Sequence, residues 1–211
     1  MSLIEKIRSR VIGGELDSIG DITEEALTKH GLDEIINDGL GKGMDVVGEK
    51  FQNGEYFLPE MIASAETMKK AFSILKPLIE KSNYQLKGVI VFGTVTGDLH
   101  DIGKNLVCIM LRGAGFEVID LGNDVSPERF VDTAVEGNAD IIGMSALLTT
   151  TMPVMKKVID LARERQIYGR KKIIVGGAPL SQEYANEIGA DAYCFDGVSA
   201  VEQVKKFLGR V

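Results

Sequence analysis

The sequence predicts an α/β chain in two parts: a bundle of four helices, then a doubly wound domain with a five-stranded parallel sheet. Three observations predict this. Apolar residues recur at helical spacing up to residue 81. From residue 88 onward, short β-rich runs alternate with helical stretches. Between them lies Lys81-Ser82-Asn83-Tyr84-Gln85-Leu86-Lys87, which is polar and aperiodic and reads as a linker. The expected domains are residues 1–82 and 88–211.

Leu3, Ile4, Ile7 and Val11 mark a first helix and Thr23–Leu27 a second. Leu32, Ile36, Leu40, Met44, Val47 and Phe51 form one continuous stripe for the third. The fourth carries Leu58, Met61, Ala65, Met68, Phe72, Leu75 and Ile79, whose alternating steps of three and four residues describe one buried face. Gly13-Gly14, Gly31 and Gly54 suit helix C-caps, and Pro59 suits a first helical turn. Pro77 is expected to kink or end the fourth helix. Short loops between the helices imply antiparallel packing.

In the second part, strands are expected at 88–93, 117–121, 140–145, 172–175 and 191–194. Helices are expected at 102–114, 127–136, 153–166, 181–188 and 198–208. Strand–helix alternation requires parallel pairing with helices on both faces. The size matches a flavodoxin-like, Rossmann-like sheet of order 2-1-3-4-5, which binds ligands where the strand order reverses, between the first and third strands.

Composition narrows the chemistry. The chain of 211 residues carries a net charge of -7, with two histidines, His30 and His100, and two cysteines, Cys108 and Cys194. The acidic balance argues against nucleic-acid binding, which needs clustered Lys and Arg. No apolar run is long enough to cross a membrane, and the N-terminus lacks a secretion-signal core, so a cytoplasmic protein is expected. Both cysteines sit in apolar surroundings and read as reduced and buried. There is no CxxC, HExxH, GxxxxGK[ST] or GxGxxG.

Three segments follow strands and converge on the predicted rim: 94–103, 145–153 and 176–179. In the first, His100 stands two residues from Asp98 and one from Asp101, between Gly97 and Gly103. A histidine that ligates a metal commonly hydrogen-bonds its other nitrogen to a carboxylate, and Asp98 suits that role. One histidine cannot hold a bare metal, so any metal would arrive inside a macrocycle. From spacing alone, Asp101 capping the next helix, with His100 incidental, explains the loop better. Ser145, Thr149, Thr150 and Thr151 can bind an organic cofactor or cap a helix. Gly176-Gly177 opens space for a ligand or makes a turn.

The stretch Gly97-Asp98-Leu99-His100-Asp101-Ile102-Gly103-Lys104-Asn105 resembles the DxHxxG signature of cobalamin-binding proteins. The Ser145-Ala146-Leu147 and Gly176-Gly177 segments follow at that family's spacing. Phe57-Leu58-Pro59-Glu60 and the Met-containing helix after it resemble the cap module of methionine synthase-type corrinoid domains. The likeness covers nearly the whole chain. Its layout most resembles the free-standing corrinoid proteins of methylamine and methanol methyltransferase systems.

The resemblance implies a role for each matching residue. His100 is the lower cobalt ligand, in a base-off/His-on state, and Asp98 is its hydrogen-bond partner. Thr151 stands where methionine synthase has the serine of an Asp–His–Ser relay. Gly97, Leu99, Asp101, Ile102 and Gly103 belong to the same cofactor-binding loop. Ser145, Leu147, Thr149, Gly176 and Gly177 line the displaced nucleotide tail, and Asp196 and Gly197 close its pocket. Phe57, with neighbours such as Met61 and Thr67, covers the upper corrin face.

The implied function is a methyl carrier, loaded as methylcobalamin, in one-carbon metabolism. A donor-specific methyltransferase (methylamine, methanol, betaine or similar) supplies the methyl group. A second methyltransferase passes it to tetrahydrofolate or a thiol, and a reductive activator serves the system. A cobalamin-binding regulator and the small subunit of an adenosylcobalamin mutase are the competing readings.

Overall fold

The computed structural model describes residues 1–82 and 87–209, apart from the Glu80 side chain; of the expected linker, Asn83–Leu86 lies outside the described residues. The chain divides into two compact units. One is helical and includes Arg112–Gly115; the other holds Lys87–Leu111 and the chain from Phe116 onward.

In the helical unit, α1 (Leu3–Gly13) starts at a capping box, with the Ser2 hydroxyl accepting from Glu5 N–H, and ends at Gly14 in the left-handed conformation. α2 spans Leu16–Leu27. Its cap is Thr28, in right-handed conformation, and the His30 amide donates to Ala26 O at 2.8 Å. Gly31 is therefore not the cap of α2; its carbonyl accepts from Ile35 N–H and begins the next turn.

That turn departs from the expected regular helix. Glu34–Gly41 is a π-helical segment, and α3 (Lys42–Gln52) follows directly. The wider i→i+5 turn buries Ile35 and Ile36 side by side. The glycines here are explained by packing on α1: a Cβ on Gly39 would stand 3.1 Å from Ile7 Cγ2, and one on Gly43 3.0 Å from the Val11 side chain. α4 spans Leu58–Lys81 with Pro59 in its first turn. Pro77 lies inside it and does not end it, because the helix continues for a further turn. Met61, Ala65, Met68, Leu75 and Ile79 are buried as expected, whereas Phe72 is half-buried, Leu58 is exposed and Ala71 joins the core.

In the α/β unit the order is β1 (Val89–Thr94), α5 (Ile102–Gly113), β2 (Glu117–Asp120), α6 (Pro127–Glu136), β3 (Ile141–Ser145), α7 (Pro153–Glu164), β4 (Lys172–Gly176), α8 (Gln182–Ile188), β5 (Ala192–Cys194) and α9 (Gly197–Phe207). All pairings are parallel, in the sheet order β2-β1-β3-β4-β5. Val91, Ile142, Met144, Ile173 and Val175 pack with Phe130, Val131, Met155, Val158 and Ile159 in one dry core. Neither face of such a sheet meets water, which is why its strands read as apolar runs.

Register places the functional loops. Thr94 pairs with Ser145, Ser145 with Gly176, and Gly176 with Cys194. Four strands thus end on one row, and the loops after β1, β3, β4 and β5 leave from a common edge.

Candidate functional site

The loop after β1 is built around the Asp98 carboxylate, which is fully buried. Oδ1 accepts from His100 Nδ1 at 2.7 Å and from His100 N–H at 3.1 Å. Oδ2 accepts from the N–H groups of Leu147 and Leu148, at 2.7 and 3.1 Å, and lies 3.0 Å from Thr151 Oγ1. The single Thr151 hydroxyl proton is shared with Leu148 O, 2.8 Å away. Residues from the loops after β1 and β3 therefore meet on one carboxylate, at the predicted reversal of strand order.

Electrostatics follow from this donor set. Burial is the largest single influence on Asp98 and pushes its carboxyl up. Hydrogen bonds from Leu147 N–H, the His100 ring, His100 N–H and Leu148 N–H together outweigh it and hold the group well below the usual carboxylate range. An ionised carboxylate only accepts, so Nδ1 of a neutral His100 must carry the ring proton, and the lone pair is left on Nε2. The ring is half exposed, at 53%. The loop thus presents one exposed imidazole nitrogen of defined tautomer.

The other expected residues fall as follows. Gly97, Leu99, Asp101, Ile102 and Gly103 lie on the same loop and the first turn of α5, where Asp101 O accepts from Asn105 N–H at 2.7 Å. Ser145 ends β3 and accepts from Val95 N–H through its carbonyl. Leu147 reaches Asp98 through its backbone, and Thr149 is exposed beyond it. Gly176 ends β4 and Gly177 follows it. Gly177 has φ +136°, and a Cβ there would stand 1.8 Å from Ala146 O, so no side chain fits. Asp196 caps α9, with Oδ1 accepting from Ser199 N–H at 2.7 Å, and Gly197 opens that helix. In the helical unit Phe57 is 66% exposed at the start of α4, while Met61 and Thr67 are buried.

Sequence reasoning missed two features. The Leu147 and Leu148 amides hold Asp98, yet backbone donors leave no residue signature. Phe195 is 79% exposed directly after β5; an aromatic at the carboxyl end of a strand was the available signal. With Leu99, Ile102, Leu147 and Leu148, all exposed, it gives the loops on this edge an apolar character. Among the described residues no group of three His, Cys, Asp or Glu converges to hold a bare metal. A single presented imidazole nitrogen on a half-exposed ring, among apolar loops, fits a metal already equatorially filled by an organic macrocycle.

Comparison with known proteins agrees. Residues 88–205 match a family model described as a B12 binding domain, and residues 3–76 match a second B12 binding domain model. A corrinoid protein of Desulfitobacterium hafniense (strain Y51) is 44% identical over 214 residues, covering 100% of this chain and 99% of that protein. A dimethylamine corrinoid protein of Methanosarcina barkeri is 42% identical over 207 residues, covering 98% and 97%. In the solved methanol:cobalamin methyltransferase complex MtaBC of Methanosarcina barkeri, the matching chain has a TM-score of 0.85 and 30% identity, covering 99% of this chain and 80% of that one. The chain described here belongs to the B12-binding corrinoid proteins, and its cofactor is cobalamin.

Proposed function

We propose that this chain is a cytoplasmic methyl carrier that binds cobalamin base-off/His-on, with His100 Nε2 as the lower axial ligand. The observation that carries the reading is the 2.7 Å contact between His100 Nδ1 and a buried, fully hydrogen-bonded Asp98, which leaves Nε2 free and facing outward. When bound, the corrinoid cobalt supplies the chemistry of taking up and giving off a methyl group. The protein's part is to hold and orient. Asp98 keeps a proton on Nδ1 and fixes the ring, and Thr151 with the Leu147 and Leu148 amides fixes Asp98.

Ser145, Leu147, Thr149, Gly176 and Gly177 are assigned to the displaced nucleotide tail, and Asp196 and Gly197 to the end of its pocket. Phe57 is assigned to the upper corrin face. A donor-specific methyltransferase loads the carrier; relatives named for dimethylamine and a complex named for methanol support a small methylated donor of that kind. A second methyltransferase, acting on tetrahydrofolate or a thiol, unloads it, and a reductive activator restores it.

The test is electron paramagnetic resonance of the cob(II)alamin-loaded protein prepared with 14N- or 15N-histidine. The axial nitrogen splitting is expected to change with the isotope and to vanish in His100→Ala. Splitting that ignores the histidine label overturns the ligand assignment. Methyl transfer from a panel of donors, each offered with a methyltransferase specific for it, then identifies the donor, and absence of transfer with every donor overturns the carrier reading.

A further inference from the structure

Lys104 is an anomaly. It lies on α5, one turn beyond His100, yet it is 2% exposed. Its Nζ meets Asp120 Oδ1, at the end of β2, at 2.6 Å. Only the lysine of this pair is buried, the Asp120 side chain being 26% exposed, and an ion pair with a desolvated partner is a poor source of stability, because desolvation cancels much of its attraction. What such a pair does supply is a fixed position. Asp120 Oδ1 also accepts from Gly122 N–H at 3.0 Å, so the pair ties α5 to the start of the loop after β2.

That loop runs beside the His100 loop and grips it repeatedly. Gly122 O accepts from Thr94 N–H at 3.0 Å. Asp124 Oδ1 accepts from Gly97 N–H at 2.8 Å, and Asp124 N–H donates to Asp98 O at 3.2 Å. Thr96 Oγ1 donates to Val125 O at 2.7 Å. Asp124 does this at φ +52°, a left-handed conformation that non-glycine residues seldom adopt. The strain is tolerated where one residue must turn both its carboxylate and its amide to the same neighbouring loop.

We propose that Lys104, Asp120 and Asp124 are positioning residues for His100: a clamp on a buried lysine and a strained brace that hold the Gly97–His100 segment so that Asp98 meets the ring. The inference rests on His100 as the axial ligand for its consequence in the loaded protein, but its structural content stands in the free protein as well.

Three variants test it: Asp124→Ala, Asp124→Asn, and the charge-free double variant Lys104→Met/Asp120→Asn. Asparagine at 124 retains an oxygen to accept from Gly97 N–H and tolerates the left-handed conformation. In cob(II)alamin-loaded protein, Asp124→Ala and the double variant are expected to weaken the His-on state measurably, by less than the roughly 10-fold seen when a direct partner of a metal ligand is lost. Asp124→Asn is expected to keep the wild-type signature. Variants that melt earlier but retain the wild-type His-on fraction overturn the proposal, since a merely structural role would lower Tm alone. If the wild type itself shows no histidine nitrogen, the axial reading fails, and the free protein decides. There, the exchange-protected low-field Nδ1–H resonance of His100 is expected in wild type and Asp124→Asn and lost in Asp124→Ala and the double variant. Its persistence in all of them overturns the proposal.

Discussion

The two histidines of this chain make the same bond in different settings. His30 Nδ1 lies 2.9 Å from Glu34 Oε2, and His100 Nδ1 lies 2.7 Å from Asp98 Oδ1. By pairing alone they are equivalent. They differ behind the carboxylate. The Glu34 side chain is 49% exposed, whereas Asp98 is buried and is held by Leu147, Leu148 and Thr151 as well as by the histidine. The exposures of the rings run the other way, at 23% for His30 and 53% for His100. A histidine becomes a site when a rigid, dry carboxylate fixes one nitrogen and leaves the other facing out.

The largest expected effect comes from Asp98→Asn. If the new amide nitrogen takes the place of Oδ2, it faces the Leu147 and Leu148 N–H donors, which then lose their acceptor. If it takes the place of Oδ1, it donates to His100 Nδ1 and forces the ring proton to Nε2, removing the outward lone pair. The first arrangement costs about 2–5 kcal/mol in urea denaturation of the free protein. The second abolishes the histidine nitrogen signature of the loaded protein. The pH dependence has a definite sign. The folded-state pKa is depressed, so the Asp98 contribution is fully present above the ordinary carboxylate range of about pH 4 and is lost as pH falls through the lower folded value. The stability gap between wild type and Asp98→Asn is therefore expected to stay constant from neutral pH down to about 5 and to close in stronger acid. A gap that does not depend on pH would mean the carboxylate charge is not what the loop stabilises.

Thr151→Val probes the same carboxylate more gently. Valine keeps the shape and removes one hydroxyl, and the Leu147 and Leu148 amides remain on Oδ2. The expected loss is about 1 kcal/mol of stability, with the His-on fraction reduced less than the ~10-fold that loss of a direct partner produces. Thr151→Ser is expected to match wild type. A Thr151→Val effect as large as that of Asp98→Asn would show that the hydroxyl, rather than the two amides, fixes the carboxylate.

This contrast also separates what the sequence made legible from what it did not. The sheet order, the five strands and the meeting of Asp98, His100 and Thr151 followed from alternation, from the position of the strand-order reversal, and from the resemblance of the Asp98–Gly103 loop. The π-helical turn at Glu34–Gly41 did not, because Leu32, Ile36, Leu40 and Met44 fit a regular helical stripe equally well. Pro77 does not end α4, which continues to Lys81 past the missing N–H. The burial of Lys104 and the left-handed turn at Asp124 depend on tertiary neighbours and have no local signature. The donors that distinguish Asp98 from Glu34 are backbone amides some fifty residues away, which residue type cannot report.

Glu34→Gln is expected to have the smallest effect, and it tests the comparison from the other side. Glutamine keeps an oxygen within reach of His30 Nδ1–H, so the hydrogen bond survives and only the charge is lost. The pair is exposed and bridges the turn between α2 and the π-helical segment, where surface ion pairs contribute on the order of 0.5 kcal/mol. The His30 amide still donates to Ala26 O, so the end of α2 is unchanged. The expected result is a urea midpoint indistinguishable from wild type and an unaltered cobalamin spectrum. If Glu34→Gln were to destabilise the protein as much as Asp98→Asn, the dry amide cradle behind Asp98 could not be what separates the two histidines. A null effect here beside a large one at Asp98 attributes the difference to that cradle, since the Nδ1–carboxylate contact itself is common to both.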